Sequence, residues 1–179
     1  MAPVTGEDHA LSDSEIKKLV PGVKIISYPD LQKFPTLESV LDPQGRVVIL
    51  FLTENKSSGH WVCLFRNGKK TFEWFDSYGL RPDGNMRWLS KSKLIALNEE
   101  IPVLTDLIVA AEKGGARVDH NPYKLQGDHT GIETCGRHVA CRLLQKHLPL
   151  DDYVKWVTKG GRQDPDSVVT EYTNSIIKR

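Results

Sequence analysis

The run Gly59-His60-Trp61-Val62-Cys63-Leu64-Phe65-Arg66-Asn67-Gly68-Lys69-Lys70-Thr71-Phe72-Glu73-Trp74-Phe75-Asp76 decides how this chain is read. Two segments rich in apolar and aromatic residues, 61–66 and 71–75, flank Asn67-Gly68-Lys69-Lys70, and Asn-Gly is a strong hairpin signal because both residues tolerate positive φ. The segments are expected to pair antiparallel. A turn at 67–70 also fixes register, placing His60 at the entry of one strand opposite Asp76 at the exit of the next. Just upstream, Val47-Val48-Ile49-Leu50-Phe51-Leu52 is a continuous apolar run suited to a strand covered on both faces, and is expected to be the central strand.

Helical signals surround this strand region. Ser12-Asp13-Ser14-Glu15 has the form of a capping box, followed by Ile16, Leu19 and Val20 at helical spacing and closed by Pro21-Gly22. Residues 36–41 suit a single helical turn, while 23–28 and the rest of 29–41 carry no decisive period. Arg81-Pro82-Asp83-Gly84-Asn85 reads as a turn, 88–97 is mixed, and 102–113 reads as a helix ended by Gly114-Gly115. A strand near 116–118 and helices over 134–147, 151–157 and 166–177 complete the pattern. The expected fold is α+β: a central mixed, mainly antiparallel sheet flanked by helices. Residues 1–11 are expected to be a flexible lead and 12–179 a single domain.

Composition narrows the class. Lys and Arg total 24 against 23 Asp and Glu, so the formal charge of +1 gives no bulk field for nucleic acid or an anionic membrane. No apolar run reaches membrane-spanning length, and the polar start Met1-Ala2-Pro3-Val4-Thr5-Gly6-Glu7-Asp8 is unlike a signal peptide, so the expectation is an intracellular protein that is not secreted. Cys63, Cys135 and Cys141 are an odd number without a C-x-x-C pair, which suits neither a disulfide framework nor a zinc site. No metal and no required cofactor are expected.

The chemistry lies in three stretches, Gly59-His60-Trp61, Phe75-Asp76-Ser77-Tyr78-Gly79 and Thr134-Cys135-Gly136. They supply an imidazole, a carboxylate and a thiol, the parts of a thiol nucleophile, its general base and the group that orients the base. Cys135 falls at a helix start, where unpaired N–H groups and the helix dipole favour a thiolate. Cys63 inside a strand and Cys141 in a helix body read as small buried apolar residues. His129, in a polar loop beside Asp128, and His138, on the same helix as Cys135, are rival bases on proximity in sequence alone. Trp74 and Trp88 read as packing residues, Trp61 as packing and part of the cleft, and Gly136 as room for a substrate backbone beside the nucleophile.

These motifs resemble the adenovirus-protease and SUMO-protease superfamily of cysteine peptidases: Gly-His-Trp ahead of one strand, Phe-Asp-Ser-Tyr-Gly after the next, and Gln126-Gly127 followed by Thr-Cys-Gly at a helix start. The His, Asp, Cys order matches that group, over roughly residues 11–147. Within it, the short chain and the segment Leu11-Ser12-Asp13-Ser14-Glu15-Ile16 look closer to the maturation proteases of adenoviruses, virophages and related DNA viruses. The resemblance implies an adenain-like fold, a catalytic triad of His60, Asp76 and Cys135, and Gln126 as the oxyanion-hole side chain, here nine residues before the cysteine. It also implies cleavage after small residues in a Gly-Gly or Gly-X-Gly context, with viral capsid or core precursors as substrates. A ubiquitin-like or SUMO-type modifier is the alternative substrate. Activation by a peptide or by DNA belongs to the adenovirus branch, and localisation would be the infected cell or the virion. A non-catalytic binding module on the same fold is the reading from a different class.

Overall fold

The structure, a computed structural model, describes residues 6–55 and 57–178. Five strands, β1 (Ile25–Ser27), β2 (Arg46–Asn55), β3 (Ser58–Gly68), β4 (Thr71–Phe75) and β5 (Arg117–His120), lie side by side in sequence order. The β2–β3 and β3–β4 pairs are antiparallel, and the edge strands β1 and β5 pair parallel to their neighbours. Seven α-helices accompany the sheet among the described residues: α1 (Asp13–Leu19), α2 (Leu37–Val40), α3 (Lys91–Leu97), α4 (Val103–Lys113), α5 (Cys135–Leu144), α6 (Leu150–Val157) and α7 (Pro165–Ile177). Short 3-10 helices span Tyr28–Lys33 and Gly84–Trp88. The class is α+β, with a mixed sheet flanked by helices. The middle position belongs to β3, not to the 47–52 run; β2 is nonetheless buried on both faces, its alternate side chains entering two core clusters, and β1 pairs along its outer edge.

Alternation along the strands divides the core in two. Val48, Leu50, Trp61, Cys63, Phe65 and Phe75 face one side, where residues of α1, α5, α6 and α7 cover them. Val47, Ile49, Val62, Leu64, Phe72 and Trp74 face the other, under α2, α4 and the 3-10 helix at 28–33. The sheet is therefore the middle of three layers. Local signals set the helix starts: Ser12 caps α1 in a complete capping box with Glu15, and Thr36 caps α2 reciprocally with Ser39.

α5 is locked against the sheet by a buried pair. Arg142 Nε and Nη2 donate to the two carboxylate oxygens of Glu73 on β4 at 2.7 and 3.0 Å, and the guanidinium lies over the Phe65 and Tyr153 rings. This bidentate bond fixes the helix about its own axis as well as along it.

Two expectations change. The hairpin turn is Lys69-Lys70, flanked by the Gly68–Thr71 pair, and the ladder is irregular between Arg66 and Gly68 before continuing to Cys63 opposite Phe75. Asp76 thus lies just past the last paired residue. Continued from Cys63 opposite Phe75, this register sets Asp76 across from Val62, two residues from His60, so Asp76 meets His60 diagonally along one face instead of head-on. The lead is also not loose where it is described. Leu11 is buried and its carbonyl accepts Trp61 Nε1–H at 2.9 Å, while the Glu7 carbonyl accepts Glu133 N–H at 2.7 Å and Ser167 donates to the Glu7 carboxylate. Residues 1–5 of the expected lead lie outside the described residues.

Candidate active site

His60 stands near the start of β3, beside a glycine with a strict steric reason. A Cβ on Gly59 would lie 1.9 Å from the Phe51 carbonyl oxygen on β2, so only glycine permits the strand pairing there. His60 Nε2 is 3.1 Å from Asp76 Oδ1. Asp76 is fully buried and also accepts Tyr78 N–H at 2.7 Å and Asn85 Nδ2 at 3.0 Å. Asn121 Nδ2 donates to the Asp76 carbonyl at 2.8 Å, tying the carboxylate-bearing turn to the chain that follows β5. The turn closes through Gly79, at φ +74° and with its N–H on the Asp76 carbonyl.

With Nε2 on Asp76, Nδ1 is the ring nitrogen left over, and the Cys135 thiol lining the same cleft acts on the imidazole and raises it further. Burial opposes the imidazolium, but Asp76 and Cys135 together outweigh it and push the imidazole up to about 10. The Tyr78 and Trp88 rings pack on the imidazole at centroid distances of 5.1 and 5.3 Å. Burial, with Cys135 and nearby carboxylates, pushes the Tyr78 phenol up to about 12.

Cys135 is the first residue of α5, where no preceding turn exists to accept its N–H. The other two thiols have no access to solvent: Cys63 and Cys141 are completely buried, and burial raises both. All three cysteines are free.

Gln126 reaches the same place by a separate route. The Ser77 carbonyl accepts both Leu125 N–H and Gln126 N–H, and Ser77 Oγ donates to Gln126 Oε1 at 2.6 Å. With its oxygen engaged, the amide presents its NH2 group as the free donor. His60, Tyr78, Trp88, Gln126, Glu133 and Cys135 line one cleft of about 490 Å³.

The structure therefore brings His60, Asp76, Cys135 and Gln126 together. It does not place the other two expected site residues in that cleft. Trp61 lines an adjoining groove of about 930 Å³ with Leu11 and Leu50, and its indole is tied to the lead. Gly136 faces inward: a Cβ there would lie 3.1 Å from both Leu11 Cβ and Trp61 Cδ1, so the missing side chain serves the protein's own packing. The aromatic wall of the cleft is Trp88, which is 41% exposed where the sequence reading had a packing residue. His129 is exposed, and His138 is fully buried on Asp166, so neither rival base takes the place beside the thiol. Ser77, Asn85 and Asn121 were missed. Ser77 and Asn85 stand near Asp76 in sequence, but their partners become visible only once the chain is folded. Among the described residues no cluster of three or more His, Cys, Asp or Glu side chains could hold a metal ion, and no helix is long and apolar enough to cross a membrane.

An α+β sheet protein with a histidine, a carboxylate and a helix-start cysteine at one cleft is thus the class that fold and site define. By sequence the chain is 34% identical over 171 residues to uncharacterized protein V9 of the Sputnik virophage, across 93% of this chain and 95% of that protein, and it belongs to the same family. No protein-family model matches the chain. Among solved structures, the central domain of the uncharacterized Lpg1148 protein from Legionella pneumophila is similar with a TM-score of 0.46 and 16% identity, covering 95% of this chain and 99% of that one.

Proposed function

We propose that the protein is a cysteine endopeptidase of the adenain-like superfamily, with Cys135 as nucleophile, His60 as base and then acid, and Asp76 as the group that orients the histidine. The observation that carries this reading is the convergence of His60, Gln126 and Cys135, from three separate segments, on one cleft, with His60 held from behind by the buried Asp76 and Gln126 by Ser77 so that each keeps one polar atom free. His60 Nδ1 takes the thiol proton, and the sulfur attacks a peptide carbonyl. The oxyanion is held by the Cys135 N–H and the Gln126 NH2 group, and His60 protonates the departing amine before water releases the acyl group.

The virophage relative supports a viral setting, so the proposed substrate is a capsid or core precursor cut after a small residue, inside the infected cell or the virion. Tyr78 and Trp88, in edge-to-face contact at 5.6 Å and both packed on His60, form a bulky aromatic wall beside the histidine, which supports a small residue such as glycine at the scissile bond. The test is incubation of purified protein with the virophage capsid precursor, and separately with ubiquitin and SUMO vinyl-sulfone probes, with Cys135→Ala as control. Site-specific cleavage lost in Cys135→Ala is the expected result. Labelling by a modifier probe without precursor cleavage would replace the maturation role with a modifier-processing one. No turnover and no alkylation of Cys135 by iodoacetamide would sink the enzyme reading altogether.

A further inference from the structure

Gln126 and Cys135 must hold a fixed separation for their two donors to meet one oxygen, yet no bond joins them directly. One buried carboxylate spans the gap. Asp166, in the first turn of α7, accepts Gly127 N–H on Oδ2 at 2.7 Å, and on Oδ1 accepts the Thr134 hydroxyl and His138 Nε2, the latter at 2.9 Å. Gly127 directly follows Gln126, and Thr134 directly precedes Cys135. Asp166 is 2% exposed, and Thr134 and His138 are fully buried. Glycine at 127 eases the short approach, since a Cβ would sit tightly, 3.1 Å from Asp166 Oδ2. Burial alone would raise this carboxyl, but the bonds from His138, Thr134 and Gly127 together hold it below the usual carboxylate range. The α7 N-terminus adds its own favourable potential.

We propose that Asp166 is a positioning residue for the oxyanion hole: a clasp from α7 that fixes the Gln126 side of the cleft against the N-terminus of α5. The inference rests on the protease reading above. It assigns a role to His138 as well, as a donor that orients the clasp and not as a base.

The clasp differs from a plain anchor for α7 in what it should change. An oxyanion hole acts only when a carbonyl becomes tetrahedral, whereas alkylation of a thiol by iodoacetamide is a displacement at carbon with no oxyanion. The experiment measures kcat, KM and the iodoacetamide rate at Cys135 for wild type, Asp166→Asn, Gln126→Ala, the double variant and Thr134→Val. Asp166→Asn is expected to lower kcat by about 10- to 100-fold with KM within about twofold, and to leave the alkylation rate within about twofold. The double variant should be no more than about twofold slower than Gln126→Ala alone, because both changes damage the same hole. Thr134→Val, which removes one arm only, should show the same pattern at smaller amplitude, and it carries the test if Asp166→Asn does not fold.

Wild-type turnover in Asp166→Asn, effects that multiply with those of Gln126→Ala, or alkylation falling in step with kcat would each overturn the clasp while leaving the protease reading intact. A wild-type protein that cleaves nothing overturns both.

Discussion

Ser77 stands to Gln126 as Asp76 stands to His60: each adjacent residue of one turn takes up one atom of a cleft side chain and leaves the other atom free. Ser77→Ala is expected to leave Gln126 Oε1 without its donor, at a cost of about 1–3 kcal/mol if the amide stays in place. An amide that turns instead would present oxygen to the oxyanion, and kcat should fall about 10-fold or more in a peptide-cleavage assay while the fold survives. Asp76 is tested through pH. His60 is raised from 6.5 to about 10, so the bond to Asp76 contributes stability fully present below about pH 6.5 and lost as pH rises through about 10. The alkaline limb of kcat/KM should follow the same proton. In Asp76→Asn the carboxylate no longer opposes burial, so that limb should move to lower pH; an unmoved limb would reject Asp76 as the group holding the imidazolium. His60, Asp76 and Cys135 were legible because each sits in a short motif whose chemistry is local. Ser77 was not, because its partner lies far along the chain and no period or spacing in the sequence reports that contact.

The hairpin shows the same limit at the scale of an element. Two apolar runs and an Asn-Gly between them were enough to establish β3, β4 and their antiparallel pairing. They did not establish the register, because the irregularity at Asn67 moves the turn to Lys69-Lys70, and a one-residue bulge leaves no compositional trace. The consequence for the site is mild: the shift keeps Asp76 on the same face as His60, and a diagonal contact replaces a direct one. The N-terminal segment was misread for a related reason. Its polar composition resembles a free tail, yet much of its binding comes from backbone carbonyls at Gly6, Glu7 and Leu11, which every sequence possesses. Gly59 was legible only as part of a motif, and its physical reason appears in the β2–β3 ladder. Gly59→Ala should force β2 and β3 apart beside His60, destabilising by about 1–3 kcal/mol in urea titration and abolishing turnover in the folded fraction. Full activity in that variant would mean that the strand start can yield without moving the imidazole.

At the scale of the whole molecule, the α+β class and the helix-start thiol followed from hydrophobic pattern, while the burial of charge did not. Glu99 is the clearest case. It follows α3, is completely buried, and accepts Leu52 N–H at 2.7 Å where the β2–β3 ladder becomes irregular, one pair away from His60; its Oε2 has no partner among the described residues. Burial raises the carboxyl from 4.5 to about 7, with the Leu52 N–H opposing the rise. Between those values the folded protein holds a proton that the unfolded chain has released, so the Glu99 contribution to stability falls as pH rises from about 4.5 to about 7, then levels off where Glu99 is charged in both states. Glu99→Gln keeps an acceptor for Leu52 and removes the charge. Urea unfolding at intervals from pH 4.5 to 8.5 should therefore show the variant gaining on wild type steadily up to about pH 7 and holding a constant advantage above it. A difference between the two proteins that does not change with pH would mean that water reaches Glu99 and keeps it an ordinary carboxylate, and the strand beside His60 would then be held independently of this proton.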